Sequence, residues 1–172
     1  MAWREAIRTV PDFPKPGINF RDITPVLADP DAFRDAVTEL QEAAAGLKWD
    51  RLVALEARGF LFGAPLALAA GRGLVPLRKP GKLPAAVEAV SYALEYGTAT
   101  LEVHRDAVAP GDRILVVDDL LATGGTAAAA GELIRRLGGT VAGYLFLVEL
   151  DGLAGREKLT DAPVISLVTL PA

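Results

Sequence analysis

Apolar residues along this chain follow two alternating rhythms. Short continuous apolar runs, rich in β-branched side chains, stand at 51–55, 74–77, 114–117, 141–147 and 164–168. Runs of that length and composition predict strands buried on both faces, as inside a parallel sheet. Between them lie stretches at helical spacing. Asp29-Pro30-Asp31 is a helix start, with an N-cap acid, proline at the first helical position and further acid in the first turn. Phe33, Ala36, Val37, Leu40 and Ala44 then recur on one side to about Ala45. Leu61 to Ala70 predicts a buried helix, and Ala127 to Leu137 another with Ala130, Leu133, Ile134 and Leu137 inward. Asp151 predicts the cap of a short helix through Leu159. Strands alternating with helices mean an α/β domain, an open and mostly parallel sheet flanked by helices. Right-handed crossovers then bring Glu56, Arg78 and Asp118 to one edge, the carboxyl ends of the strands.

Three stretches break the rhythm. Residues 3–10 read as a short amphipathic helix with Trp3, Ile7 and Val10 on one side. Residues 12–25 hold prolines and a glycine that exclude a long helix, yet Phe13, Ile18, Phe20 and Ile23 are too apolar for a free linker. An irregular but packed segment is expected there, either functional or a loop capping the sheet. Between Pro84 and Gly97 no period is clear, which predicts a mobile flap or irregular hairpin before a possible antiparallel strand at Thr98 to His104.

The totals narrow the classes. A chain of 172 residues is read as one domain, 1–172. Its 18 Lys+Arg against 22 Asp+Glu give a net charge of −4, which argues against a nucleic-acid partner. There is no cysteine, and the single His104 cannot build a histidine metal site alone. The first residues lack a signal-peptide apolar region, and no run approaches the roughly 20 apolar residues of a membrane span. A cytoplasmic protein without a membrane partner is expected.

The chemistry concentrates between Ile114 and Thr126. The strand Ile-Leu-Val-Val is followed by Asp118 and Asp119, then Ala122-Thr123-Gly124-Gly125-Thr126 and an alanine-rich helix start. A strand–loop–helix turn aims free backbone N–H groups and the positive end of a helix dipole at one spot. The paired glycines let backbone approach a ligand closely, and the threonines add hydroxyls. The result is a phosphate-sized cradle. Carboxylates beside it would repel phosphate, so they suit hydroxyls or a metal on the same ligand. A ribose 5-phosphate has both parts. The turn is neither a Walker A loop nor a GxGxxG. A second turn of this kind, Glu56-Ala57-Arg58-Gly59, ends the strand at 51–55, and the cations Arg78, Lys79 and Lys82 follow the one at 74–77.

Four separated blocks, DFPKPGINFRDITPVL, EARGFLFGAPLA, VPLRKPGKLP through Glu95-Tyr96-Gly97, and VVDDLLATGGT, make the chain resemble the adenine phosphoribosyltransferases, a branch of the type I phosphoribosyltransferases, over nearly its whole length. Ala57 departs from the serine many members carry. The resemblance implies the type I phosphoribosyltransferase fold, with an N-terminal hood over about 1–28 and a flexible catalytic loop. It implies transfer of the phosphoribosyl group of phosphoribosyl pyrophosphate (PRPP) to adenine, giving AMP and pyrophosphate in purine salvage. Mg²⁺ carried by PRPP and a homodimer are implied too. Asp118 and Asp119 would meet the ribose hydroxyls and, with PRPP, Mg²⁺. Ala122, Thr123, Gly124, Gly125 and Thr126 would hold the 5-phosphate. Glu56, Ala57 and Arg58 would form the pyrophosphate loop, with Arg78, Lys79 and Lys82 meeting the same group. Asn19, Phe20 and Arg21 would cover adenine, with Arg58 near it, and Glu95 and Tyr96 would sit on the catalytic loop with Glu95 as acid/base. Rival readings are a transferase for xanthine, guanine or orotate, and a non-catalytic PRPP sensor. The second would need a basic face or an added module that the chain lacks.

Overall fold

A computed structural model describes residues 2–94 and 97–172. Its centre is a five-stranded, all-parallel sheet. The strands are β3 (Arg51–Leu55), β4 (Gly73–Leu77), β7 (Arg113–Leu121), β8 (Thr140–Asp151) and β9 (Val164–Pro171), in the order β4-β3-β7-β8-β9. Before them come β1 (Arg8–Val10) and β2 (Phe20–Asp22); β5 (Val87–Ala93) and β6 (Thr98–His104) form a separate hairpin. The helices are α1 (Thr24–Ala28), α2 (Pro30–Ala44), α3 (Arg58–Ala69) and α4 (Gly125–Arg136).

The pleat divides the core. In β3, Leu52 and Ala54 face α2 and α3, whereas Val53 and Leu55 face α4 and the hairpin. Leu115 and Val117 of β7 join the first set, Ile114 and Val116 the second. This period of two is what a strand covered on both sides requires. Asp29 caps α2 as expected, accepting from the N–H groups of Asp31 and Ala32, both at 2.9 Å. Gly131, an expected weak point inside α4, has a packing reason: a Cβ there would collide with the Tyr144 hydroxyl. That hydroxyl donates to Asp161 at 3.0 Å, and Arg135 of α4 pairs with the same carboxylate, tying α4 and β8 to the loop before β9.

Several expectations are corrected. The helix over 3–10 is only a 3-10 turn at Trp3–Ala6. Pro11 disfavours helical backbone just before it, and Arg8-Thr9-Val10 pairs instead with Phe20–Asp22. The segment after it is irregular but not packed throughout, since Phe13 and Ile18 are 51% and 44% exposed while Ile23 is buried. Its turn closes on itself, through Phe13 N to Ile18 O at 3.1 Å and Gly17 N to the Asp12 carboxylate at 2.7 Å. α3 begins earlier than predicted and is buried on one side only, with Leu61 at 44% and Leu68 at 83% exposure. The stretch after Pro84 is a regular antiparallel hairpin through Ala93, because Val90, Leu101 and Val103 are buried beneath α4. β8 runs on to Asp151, and only a 3-10 turn at Gly155–Lys158 follows. No helix among the described residues is long and apolar enough to cross a membrane.

The β1–β2 ribbon is pinned by Asp22. Its carboxylate accepts from the Thr24 hydroxyl at 2.5 Å and the Thr24 N–H at 2.9 Å, and it pairs with Arg8. The Thr24 side chain first, then its backbone and Arg8, hold that carboxyl down to about 2. A depressed carboxyl stabilises the fold above its unfolded pKa of about 3.9, and this is lost as pH falls through the folded value. Urea titrations of wild type and Asp22→Asn should therefore differ fully above about pH 4 and converge towards pH 2. A gap undiminished at pH 2 would contradict this account.

Candidate active site

β7 delivers Asp118 and Asp119 at the carboxyl end of the sheet, and the chain then turns into α4. Gly124 makes the turn with φ of 78°, and a Cβ on it would strike the Gly155 carbonyl, so only glycine fits. No side chain caps α4, which leaves its first N–H groups to a ligand. They border a cavity of about 210 Å³ whose wall runs from Asp118 to Ala127. The expected cradle residues Ala122, Thr123, Gly124, Gly125 and Thr126 all line it.

The acidic pair sits between this cradle and a second cavity of about 470 Å³. Asp119 is 3% exposed. Its N–H donates to Oδ1 of Asp118 at 2.9 Å. Burial, then the charge of Asp119, pushes the Asp118 carboxyl well above its usual range. Burial also raises Asp119, opposed by Arg58. The Arg58 Nε lies 2.9 Å from Asp119 Oδ2 but is not aligned to donate to it, and this buried oxygen has no hydrogen-bond donor among the described residues. A pair in that condition is suited to donors or a cation brought by a ligand.

The opposite wall is built from the ends of β3 and β4. Glu56 accepts from Lys79 N at 2.8 Å and from Arg78 Nε at 3.2 Å. The Lys79 N–H is the main cause of its lowered pKa, with burial opposing and Arg78 assisting. Glu56 and Arg78 thus brace the two loops against each other. Ala57, Arg58 and Lys79 line the larger cavity, whereas Lys82 is exposed and is not part of its wall. Gly59 permits close approach, since a Cβ there would lie 2.8 Å from Asp118 Oδ1.

Arg58 joins the N-terminal segment to the site. Its guanidinium lies 5.4 Å from the Phe20 ring centre, and Phe13 meets Phe20 edge-on at 5.2 Å. Asn19 is exposed on the same segment. Arg21 points elsewhere, donating to the Thr9 hydroxyl and to Pro171 O at 2.6 Å. Glu95 and Tyr96 lie outside the described residues. Sequence reasoning passed over Tyr92, whose hydroxyl is 3.1 Å from that of Thr126. The alternation of Val90 and Tyr92 in β5 was the available signal.

A parallel sheet with a glycine-built anion cradle beside buried carboxylates defines a sugar-phosphate transferase site, and residues 26–169 match the family model of the phosphoribosyl transferase domain. An adenine phosphoribosyltransferase from Thermobifida fusca is 57% identical, with 95% of this chain and 93% of that protein covered. The crystal structure of the enzyme of that name from Thermoanaerobacter pseudethanolicus superimposes with a TM-score of 0.95 at 54% identity, covering 97% of both chains. That from Saccharomyces cerevisiae, complexed with an imino-altritol bisphosphate and adenine, gives 0.90 at 44% identity and 96% coverage of both. The chain belongs to the adenine phosphoribosyltransferase family.

Proposed function

We propose that this chain, acting as one domain, transfers the 5-phosphoribosyl group of PRPP to adenine, releasing pyrophosphate and forming AMP for purine salvage in the cytoplasm. The observation that carries the reading is the acidic pair between two adjoining cavities, one of them a cradle for a phosphate. The cradle takes the 5-phosphate through the N–H groups of the turn and the hydroxyls of Thr123 and Thr126. Asp118 and Asp119 take the ribose hydroxyls. Ala57, Arg58 and Lys79 face the pyrophosphate; Glu56 and Arg78 fix the loops that present them. Adenine lies under Asn19 and Phe20 near Arg58.

The described residues hold no group of three or more metal-ligating side chains. Two carboxylates, one with a donorless buried oxygen, instead fit a Mg²⁺ held mainly by phosphates and water. Such an ion would supply charge compensation for the departing pyrophosphate. The ribosyl carbon turns cationic as that bond opens, and water must be kept from it.

The deciding experiment mixes the protein with PRPP, Mg²⁺ and each base in turn and follows pyrophosphate release. Adenine offers a donor amine beside an acceptor N1, and hypoxanthine reverses the pair. A backbone N–H and C=O at Asn19 fit only the first, so adenine should be preferred by roughly 10²-fold or more. Equal turnover of hypoxanthine would remove the adenine assignment.

The proposed assembly is a homodimer. α3 is apolar nearly all round and starts at Arg58, and its outward side presents Leu61, Ala64 and Leu68. An exposed apolar helix face of this kind calls for a partner surface. Light scattering should find a dimer at micromolar concentration; a fully active monomer would count against it.

A further inference from the structure

The hairpin meets the cradle at Tyr92. Its hydroxyl is 3.1 Å from Thr126 Oγ1, and either oxygen can donate. Its ring lies against the turn itself: a Cβ on Gly125 would be 3.4 Å from Tyr92 Cδ2. The tyrosine is held there from behind. β5 pairs it with Ala99, the neighbouring Ser91 and Thr100 hydroxyls are 2.8 Å apart, and Val90 is buried under α4. Tyr92 and Thr126 both border the larger cavity.

The chemistry of the ligand decides the direction of this bond. A phosphate dianion only accepts, so a threonine that binds it must donate its single O–H to it. The threonine oxygen then keeps lone pairs and needs a donor. We propose that Tyr92 is a positioning residue for the 5-phosphate: its hydroxyl donates to Thr126 Oγ1 and leaves the Thr126 proton aimed at the phosphate. The chain of bonds is tyrosine to threonine to phosphate, each polarising the next. The hairpin thereby contributes to phosphate binding without touching the phosphate. This rests on the cradle reading given above.

A double-mutant cycle tests it, with dissociation constants for Mg·PRPP and for ribose 5-phosphate measured by calorimetry. Tyr92→Phe keeps the packed ring and should weaken both ligands about fivefold, the effect of one hydrogen bond. Thr126→Ala should weaken them about tenfold or more. Tyr92→Phe added to Thr126→Ala should change nothing further, because the group it orients is gone. Thr126→Ser retains the hydroxyl and should bind as wild type does. The KM for adenine should not move in Tyr92→Phe, which a general loosening of the site would not spare. Tyr92→Phe that is silent, that tightens binding, or that costs the same factor in both backgrounds would overturn the proposal. A silent Thr126→Ala would instead overturn the cradle reading on which it rests.

Discussion

Replacing Asp118 and Asp119 together by Asn is expected to weaken PRPP binding by about 10²-fold or more, while the empty protein becomes more resistant to heat. The two effects have one origin. Burial pushes both carboxyls upward; the charge of Asp119 adds to this at Asp118, whereas Arg58 and then the hydrogen bond with Asp118 oppose it at Asp119. A carboxyl raised by folding favours the fold below its unfolded pKa, and that contribution is lost as pH rises through the folded value. At neutral pH the pair is therefore a burden on the free enzyme, and amides of the same shape relieve it. The structure accepts that burden for the hydroxyls and cation that a ligand brings. Arg58 loses its partner in the variant, but its side chain is 43% exposed and water replaces the contact. Calorimetry with Mg·PRPP and thermal melts at pH 7 read both effects. Unchanged PRPP affinity would make the pair merely structural, and a lower melting point would reverse the argument about its strain.

The sheet was legible because each strand is a run apolar on both faces, and the helix of Asp29-Pro30-Asp31 announced itself by its cap. The cradle was legible too, since only glycine tolerates the backbone at Gly124. What failed were elements whose partners are distant in sequence. Arg8-Thr9-Val10 has too few residues to show a period, and its strand exists only through Phe20–Asp22. In β5 the alternation of Val90 and Tyr92 is diluted by alanines and a glutamate, so burial beneath α4 had to reveal it. Site residues divided similarly. Lys82 and Arg21 lie among expected contacts in sequence, but only the folded chain shows Arg21 given to Thr9 and Pro171. Glu56 and Arg78 were read as ligand contacts; the fold pairs them with each other, and Glu56 also lines the larger cavity. Charge in a sequence marks where a contact is possible; register and neighbours decide which one is made.

Glu95→Leu is expected to lower kcat by about 10² to 10⁴-fold, the usual contribution of a positioned acid or base. Adenine must shed a proton as its ring nitrogen joins the ribose, and a carboxylate close to the base can receive it. In sequence, Glu95 stands three residues from Tyr92 and three from Thr98, both of which border the larger cavity. Glu95→Gln should cost nearly as much if proton transfer is the role, because the amide keeps the shape and loses the basicity. The KM for PRPP should change little, since the phosphate cradle is built by other residues. Glu102, in β6, is the natural control. Its carboxylate accepts from Gly81 N at 3.1 Å, and its backbone pairs with Arg78, so it secures the basic turn. Glutamine can accept the same bond, and Glu102→Gln should alter kcat by about twofold at most, as a surface change of about 0.5 kcal/mol does. Steady-state rates with saturating PRPP and adenine separate the two. A damaging Glu102→Gln beside a silent Glu95→Gln would move the acid/base role from Glu95 to Glu102.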